Sequence, residues 1–96
     1  MRREEVMTIL GGHRADLKRF GVKSLRLFGS VARDEAASGS DVDLLVGFEQ
    51  TPSFLLFMKL RIFLEDLLGA TVDLVTEGGL KERARRQVEK DAILVT

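Results

Sequence analysis

An α/β (α+β) fold, a small mixed β-sheet with helices packed on it, is predicted by three features of the sequence. Apolar residues recur at helical spacing in the first twenty residues and again between residues 53 and 68. Short, largely apolar runs of strand length fall around residues 25, 44 and 73. Gly or Gly-Ser punctuation separates most of these segments. The resulting order is helix, strand, helix, strand, helix, strand, helix, which calls for a sheet covered by helices.

Each element has its own reason. Val6, Ile9, Leu10, His13, Leu17 and Phe20 make one stripe, with Gly11 and Gly12 off it, so residues 3 to 20 are predicted as a helix that Gly21 ends. Ser24 to Phe28 reads as a strand running into the Gly29-Ser30 turn, and Val31 to Ala37 as a short helix. Ser38-Gly39-Ser40 is a turn before the strand Val42 to Val46. Pro52 and Ser53 open a second long helix that ends at Gly69. Thr71 to Val75 is a third strand and Gly78-Gly79 a turn. Leu80, Ala84 and Val88 give a last helix one apolar edge, and Ala92 to Val95 adds a short closing strand.

The 96 residues suit one domain spanning 1–96. Fifteen basic and fifteen acidic residues balance, so no long-range attraction draws the molecule to nucleic acid, and direct nucleic-acid binding is not expected. Without cysteine, and with one histidine, disulfides, thiolate nucleophiles and zinc centres are excluded, and any metal must be held by oxygen. The N-terminus lacks the unbroken apolar core of a signal peptide, which makes a cytoplasmic protein the expectation. Lys59, Arg61, Glu65 and Asp66 interrupt the apolar stretch from Phe54 to Leu68, so no membrane contact is expected.

Chemistry concentrates in LFGSVARDEAASGSDVDLLV. A tight Gly29-Ser30 turn leading into a helix offers backbone N–H groups to an anion. Asp41 and Asp43 alternate with Val42 and Leu44 and project the same way, about 6.6 Å apart along a strand. Two carboxylates so close need a cation, and magnesium prefers such oxygens. Asp73 sits in another apolar strand, from which it could reach the same metals, and three carboxylates can hold two ions that clamp a transferring phosphoryl group. A cap or a salt bridge is an equal reading of Asp73 taken alone. Arg33 is a candidate for the triphosphate or for bracing Asp34, Glu35 or Asp43, with bracing ahead. His13 reads as a hydrogen-bonded core histidine. Arg83, Arg86 and Lys90 share one side of the last helix and read as a solvated face. No G-x-x-x-x-G-K-[ST] or G-x-G-x-x-G motif is present, which argues against a P-loop ATPase or a dinucleotide enzyme.

The same twenty residues resemble the signature of the polymerase-beta-like nucleotidyltransferase superfamily, and the short length resembles its minimal nucleotidyltransferase (MNT) branch. The following apolar helix, LLGATVDLVT and the closing KDAILVT extend the likeness over nearly the whole chain. The resemblance implies a polymerase-beta-like nucleotidyltransferase fold. It implies phosphate contacts at Gly29 and Ser30, magnesium at Asp41 and Asp43, and the third carboxylate at Asp73. The implied reaction transfers a nucleoside monophosphate, AMP from ATP, to a hydroxyl and releases pyrophosphate. The implied partner is a HEPN-domain ribonuclease toxin, silenced by AMP on a tyrosine hydroxyl. A stoichiometric antitoxin with a vestigial site is the alternative, and modification of a small molecule such as an aminoglycoside is weaker because no acceptor pocket is accounted for. Phe54, Leu55, Met58 and Ile62 lie opposite the face of the 53–68 helix that would cover a sheet, which points to homo- or hetero-oligomer contact there.

Overall fold

The computed structural model describes residues 1–36, 39, 41–80 and 82–96, and of 82–84 and 87 the backbone only. The expected turn at Ser38-Gly39-Ser40 lies partly outside the described residues, and so does the side chain of Ala84. In chain order the elements are α1 (Arg3–Gly11), α2 (Arg14–Arg19), β1 (Val22–Phe28), α3 (Gly29–Ala32) and β2 (Val42–Phe48). Then follow α4 (Phe54–Leu68), β3 (Val72–Thr76), a 3-10 turn at Glu77–Gly79, α5 (Glu82–Asp91) and β4 (Ile93–Leu94).

The single helix expected over residues 3–20 is two helices. Gly12 caps the first, and His13, at φ −121° and ψ 27°, steps out of helical geometry before the second. Each glycine lowers helix propensity by about 1 kcal/mol relative to alanine, so Gly11-Gly12 is where the backbone can break most easily. Val6, Leu10 and Leu17 still reach the core from both pieces. His13, expected in the core, instead sits at the junction with its side chain 38% exposed. Its Nδ1 lies 3.0 Å from Asp16 Oδ2, and its ring meets Phe63 edge-on. The helix after Ser30 is also shorter than expected. It stops at Ala32, and Asp34 turns into the left-handed region at φ 56°.

The mixed sheet runs in the order β3-β2-β1-β4, with β1 antiparallel to both β2 and β4 and β2 parallel to β3. Parallel strands need a crossover connection, and α4 supplies it. Ser53 caps α4 by accepting the Leu56 N–H at 3.1 Å, with Pro52 ahead of the helix rather than in its first turn. Gly69, at φ 62°, closes it in the left-handed conformation that glycine adopts at least cost.

Period-2 alternation divides the sheet. Leu25, Leu27, Val42, Leu44, Val46, Val72 and Leu74 face one way and pack with Val6, Leu10, Leu17, Leu60, Leu64 and Leu68 of the helices. Arg26, Phe28, Asp43, Leu45 and Asp73 face the other way. On that side Leu45 lines a cavity of about 270 Å³ with Arg26, Leu80, Arg85 and Glu89, beneath α5. The acids therefore stand on the sheet face away from the main core. No helix among the described residues is long and apolar enough to cross a membrane.

The opposite side of α4 remains open: Phe54, Leu55 and Ile62 are 81%, 62% and 53% exposed, while Met58 is half-buried. Leu64→Ala should therefore cost about 2–5 kcal/mol by leaving a core cavity, whereas Ile62→Ser should change stability by no more than about 0.5 kcal/mol. Urea denaturation of the two variants checks this contrast.

Candidate active site

Strand pairing assembles the acids. Asp43 pairs with Phe28 on its antiparallel side and with Asp73 on its parallel side. Directly paired residues share a face, and adjacent strands lie about 4.8 Å apart, so the two carboxylates are neighbours although thirty residues separate them in sequence. Asp41 precedes β2, is exposed, and is near enough for its charge to act on Asp43. Asp73, expected to be awkwardly placed between Val72 and Leu74, is exposed on the open face while those neighbours are buried.

Gly29 follows Phe28 and stands over Asp43. Two independent facts require glycine there. Its φ is +76°, in the region side chains disfavour, and a Cβ would overlap Asp43 Oδ2 and lie 3.0 Å from its Cγ. Backbone and carboxylate thus meet with nothing between them. Ser30 is the next residue and opens α3.

The charges are strained. Burial pushes the Asp43 carboxyl above the usual carboxylate range, and the neighbouring charges of Asp73 and Asp41 push it the same way. Arg33 pulls it down. A carboxylate crowded by two others is relieved by a bound cation, and three carboxylates are the hard oxygen donors that magnesium prefers. The donor set therefore fits such an ion. As placed, no three acidic or histidine side chains among the described residues stand close enough together to hold a metal ion.

Arg33 is engaged elsewhere. Its Nε donates to Glu35 Oε2 at 3.0 Å and its Nη1 to Asp91 Oδ2 at 2.9 Å, and both carboxylates raise the Arg33 pKa. The pair with Asp91 ties the turn after α3 to the end of α5. Arg3 holds the same turn from the other side through Asp34 and the Ala32 carbonyl. Neither tether was legible in sequence, because each spans about thirty residues or more without local periodicity. Arg86 and Lys90 are exposed, as a solvated face requires, and the side chain of Arg83 lies outside the described residues.

A larger cleft, about 510 Å³, opens at the far ends of β2 and β3. Val46, Phe48, Phe54 and Phe57 line it, and none of Gly29, Ser30, Asp41, Asp43 or Asp73 does.

Two expectations follow from this geometry. Gly29→Ala should cost roughly 1–3 kcal/mol through its left-handed backbone and the displaced Asp43, measurable by denaturant unfolding. Asp43→Asn should raise the melting temperature of the metal-free protein at pH 7, on the order of 1–3 °C. The sign follows from linkage: a folded-state pKa raised above the unfolded one means a destabilising charge above that pKa, relieved as pH falls through it. The difference between variant and wild type should accordingly fade towards acid pH.

Residues 10–95 match the model of the nucleotidyltransferase domain family. The chain is 45% identical to the protein adenylyltransferase MntA of Thermococcus cleftensis over 93 residues, covering 96% of this chain and 94% of the relative. A solved structure assigned to the minimal nucleotidyltransferases superposes with a TM-score of 0.84 at 43% identity, covering 97% of this chain and 95% of that one. A chain of the solved complex between a tri-AMPylated Shewanella oneidensis HEPN toxin and an MNT antitoxin shares the fold, with a TM-score of 0.69 at 19% identity over 94% of this chain and 71% of that one. A sheet that pairs two acids beside a Gly-Ser turn, a family model spanning nearly the whole chain, and close relatives of the same length agree: the chain belongs to the nucleotidyltransferase domain family.

Proposed function

We propose that this protein is a magnesium-dependent protein adenylyltransferase that moves AMP from ATP to a hydroxyl of a partner protein. The observation that carries the reading is the register pairing Asp43 with Asp73 directly beside Gly29. The substrate class is supported by the 45% identical relative, which is named a protein adenylyltransferase.

In this reading Asp41 and Asp43 hold the metal, with Asp73 as third carboxylate. Magnesium, when bound there, would supply positive charge that offsets the negative charge of the triphosphate as transfer proceeds. Ser30 and the backbone N–H groups at Gly29-Ser30 hold the β- and γ-phosphates. Arg33 stays with Asp91 and Glu35, where it braces the phosphate turn and offsets charge at Asp43; direct contact with nucleotide requires it to leave those partners. Asp73 orients the acceptor hydroxyl and takes its proton. The new bond joins the acceptor oxygen to the α-phosphorus as the bond to the β-phosphate oxygen breaks. The electron pair leaves with pyrophosphate.

The acceptor protein is proposed to be a HEPN-domain toxin, because that is what the MNT antitoxin of similar fold is bound to. The open apolar side of α4, with Phe54, Leu55 and Ile62 exposed, is suited to such a contact. That same surface favours a second reading, in which the chain neutralises its partner by binding alone. Acids held at a strained pairing argue for the enzyme, since a steric inhibitor gains nothing from their mutual repulsion.

Incubation with magnesium, α-labelled ATP and the neighbouring gene's product should label that product. Replacing both Asp41 and Asp43 with asparagine, or adding a chelator, should reduce label to background. Full transfer by the double variant would refute the catalytic reading, and tight binding without label would favour the steric one.

A further inference from the structure

Glu65 has no role in the chemistry described so far, yet it touches the backbone that carries it. It lies in the last turn of α4 with its side chain 26% exposed, on the helix that supplies the crossover between β2 and β3. Its Oε2 accepts the Val72 N–H at 3.0 Å, and its Oε1 lies 3.6 Å from Arg61 Nε, one turn back.

The peptide unit involved is gripped from both sides. The Thr71 carbonyl accepts the Val42 N–H at 2.9 Å, so the Thr71–Val72 peptide turns its oxygen towards β2 and its N–H outward. β3 is an edge strand, and among the described residues no further strand stands beside it to receive that N–H. Glu65 receives it. The clamp closes one residue before Asp73 on β3 and one residue before Asp43 on β2, at the start of the register Val42↔Val72, Asp43↔Asp73.

β3 is only five residues long. A slip of one residue would turn Asp73 to the core face and Val72 to the acid face. Hydrophobic pairing resists a full slip, but it does not fix the position of the strand's first residues to a fraction of an ångström. The clamp adds a direct tie from those residues to α4, from which only Gly69, Ala70 and Thr71 separate β3.

We propose that Glu65 is a positioning residue for nucleotidyl transfer, holding the Thr71–Val72 peptide so that Asp73 stands correctly beside Asp43. The proposal rests on the role given to Asp73 above. It separates Glu65 from the phosphate turn, which Arg3, Arg33 and Asp91 brace.

The test uses the full chain with its acceptor and compares Glu65→Ala, Glu65→Gln, Asp73→Asn and the Glu65→Ala/Asp73→Asn double variant. Glu65→Ala should slow transfer by about tenfold or more, as misplacement of a reacting group by an ångström does, while affinity for a non-hydrolysable ATP analogue changes less than about twofold. Glu65→Gln should keep most of the rate, because its amide oxygen still accepts the Val72 N–H. The double variant should be no slower than Asp73→Asn alone, the non-additivity expected of residues acting as one unit. Amide exchange by NMR should show Val72 losing protection in Glu65→Ala while β1 keeps its own. Unchanged exchange at Val72, wild-type transfer by Glu65→Ala, or equal loss in Glu65→Ala and Glu65→Gln overturns the proposal. Wild-type transfer by Asp73→Asn alone overturns the reading of the site itself, and Glu65's part with it, whatever the Glu65 variants do.

Discussion

Two aspartates set side by side by a parallel strand pair are the constraint around which this small protein is organised. In an unfolded chain Asp43 and Asp73, thirty residues apart, would be separated and screened by solvent. Here the β2–β3 ladder fixes them as neighbours, burial withholds water from Asp43, and Asp41 adds a third charge. Each effect raises the cost of keeping Asp43 ionised. Hydrophobic burial in the opposite sheet face, where Val42, Leu44, Val72 and Leu74 alternate with the acids, holds the arrangement against that cost. Fold stability and site polarity thus belong to the two faces of the same strands.

The rest of the molecule protects the geometry from several directions. Gly29 leaves its own backbone against Asp43 because any side chain would occupy that place. Arg3 and Arg33 hold the following turn to α1 and α5 through Asp34, Ala32 and Asp91. Glu65 holds the peptide ahead of Asp73. These polar tethers run to three separate helices, and individually each is a modest interaction of the kind worth about 1 kcal/mol. Their common target is the few residues where strand ends meet.

Much of this was readable beforehand, and the reasons differ by element. Period-2 alternation around Asp43 fixes which face it takes, and Ser53 and Gly69 mark the ends of α4 through capping chemistry that depends only on local residues. The Gly-Ser turn and the Asp-x-Asp spacing were visible for the same reason. The break between α1 and α2 is hidden at this level, because the apolar stripe continues through His13 across the two glycines beside it. The sheet order, the parallel register that brings Asp73 to Asp43, and the tethers of Arg33 and Glu65 depend on contacts between distant segments, to which periodicity is blind. Arg33 illustrates the limit: its position after Ser30 suggested either phosphate or a bracing carboxylate, and Asp91, which it contacts, lies 58 residues away.

The most direct measurement is electron paramagnetic resonance of Mn²⁺ titrated into the protein with a non-hydrolysable ATP analogue. Tight, phosphate-coupled manganese is expected in the wild type, with greatly weakened binding in Asp43→Asn and partial loss in Asp73→Asn. Equal manganese binding in the wild type and Asp43→Asn would contradict the claim that these paired acids form the cation site.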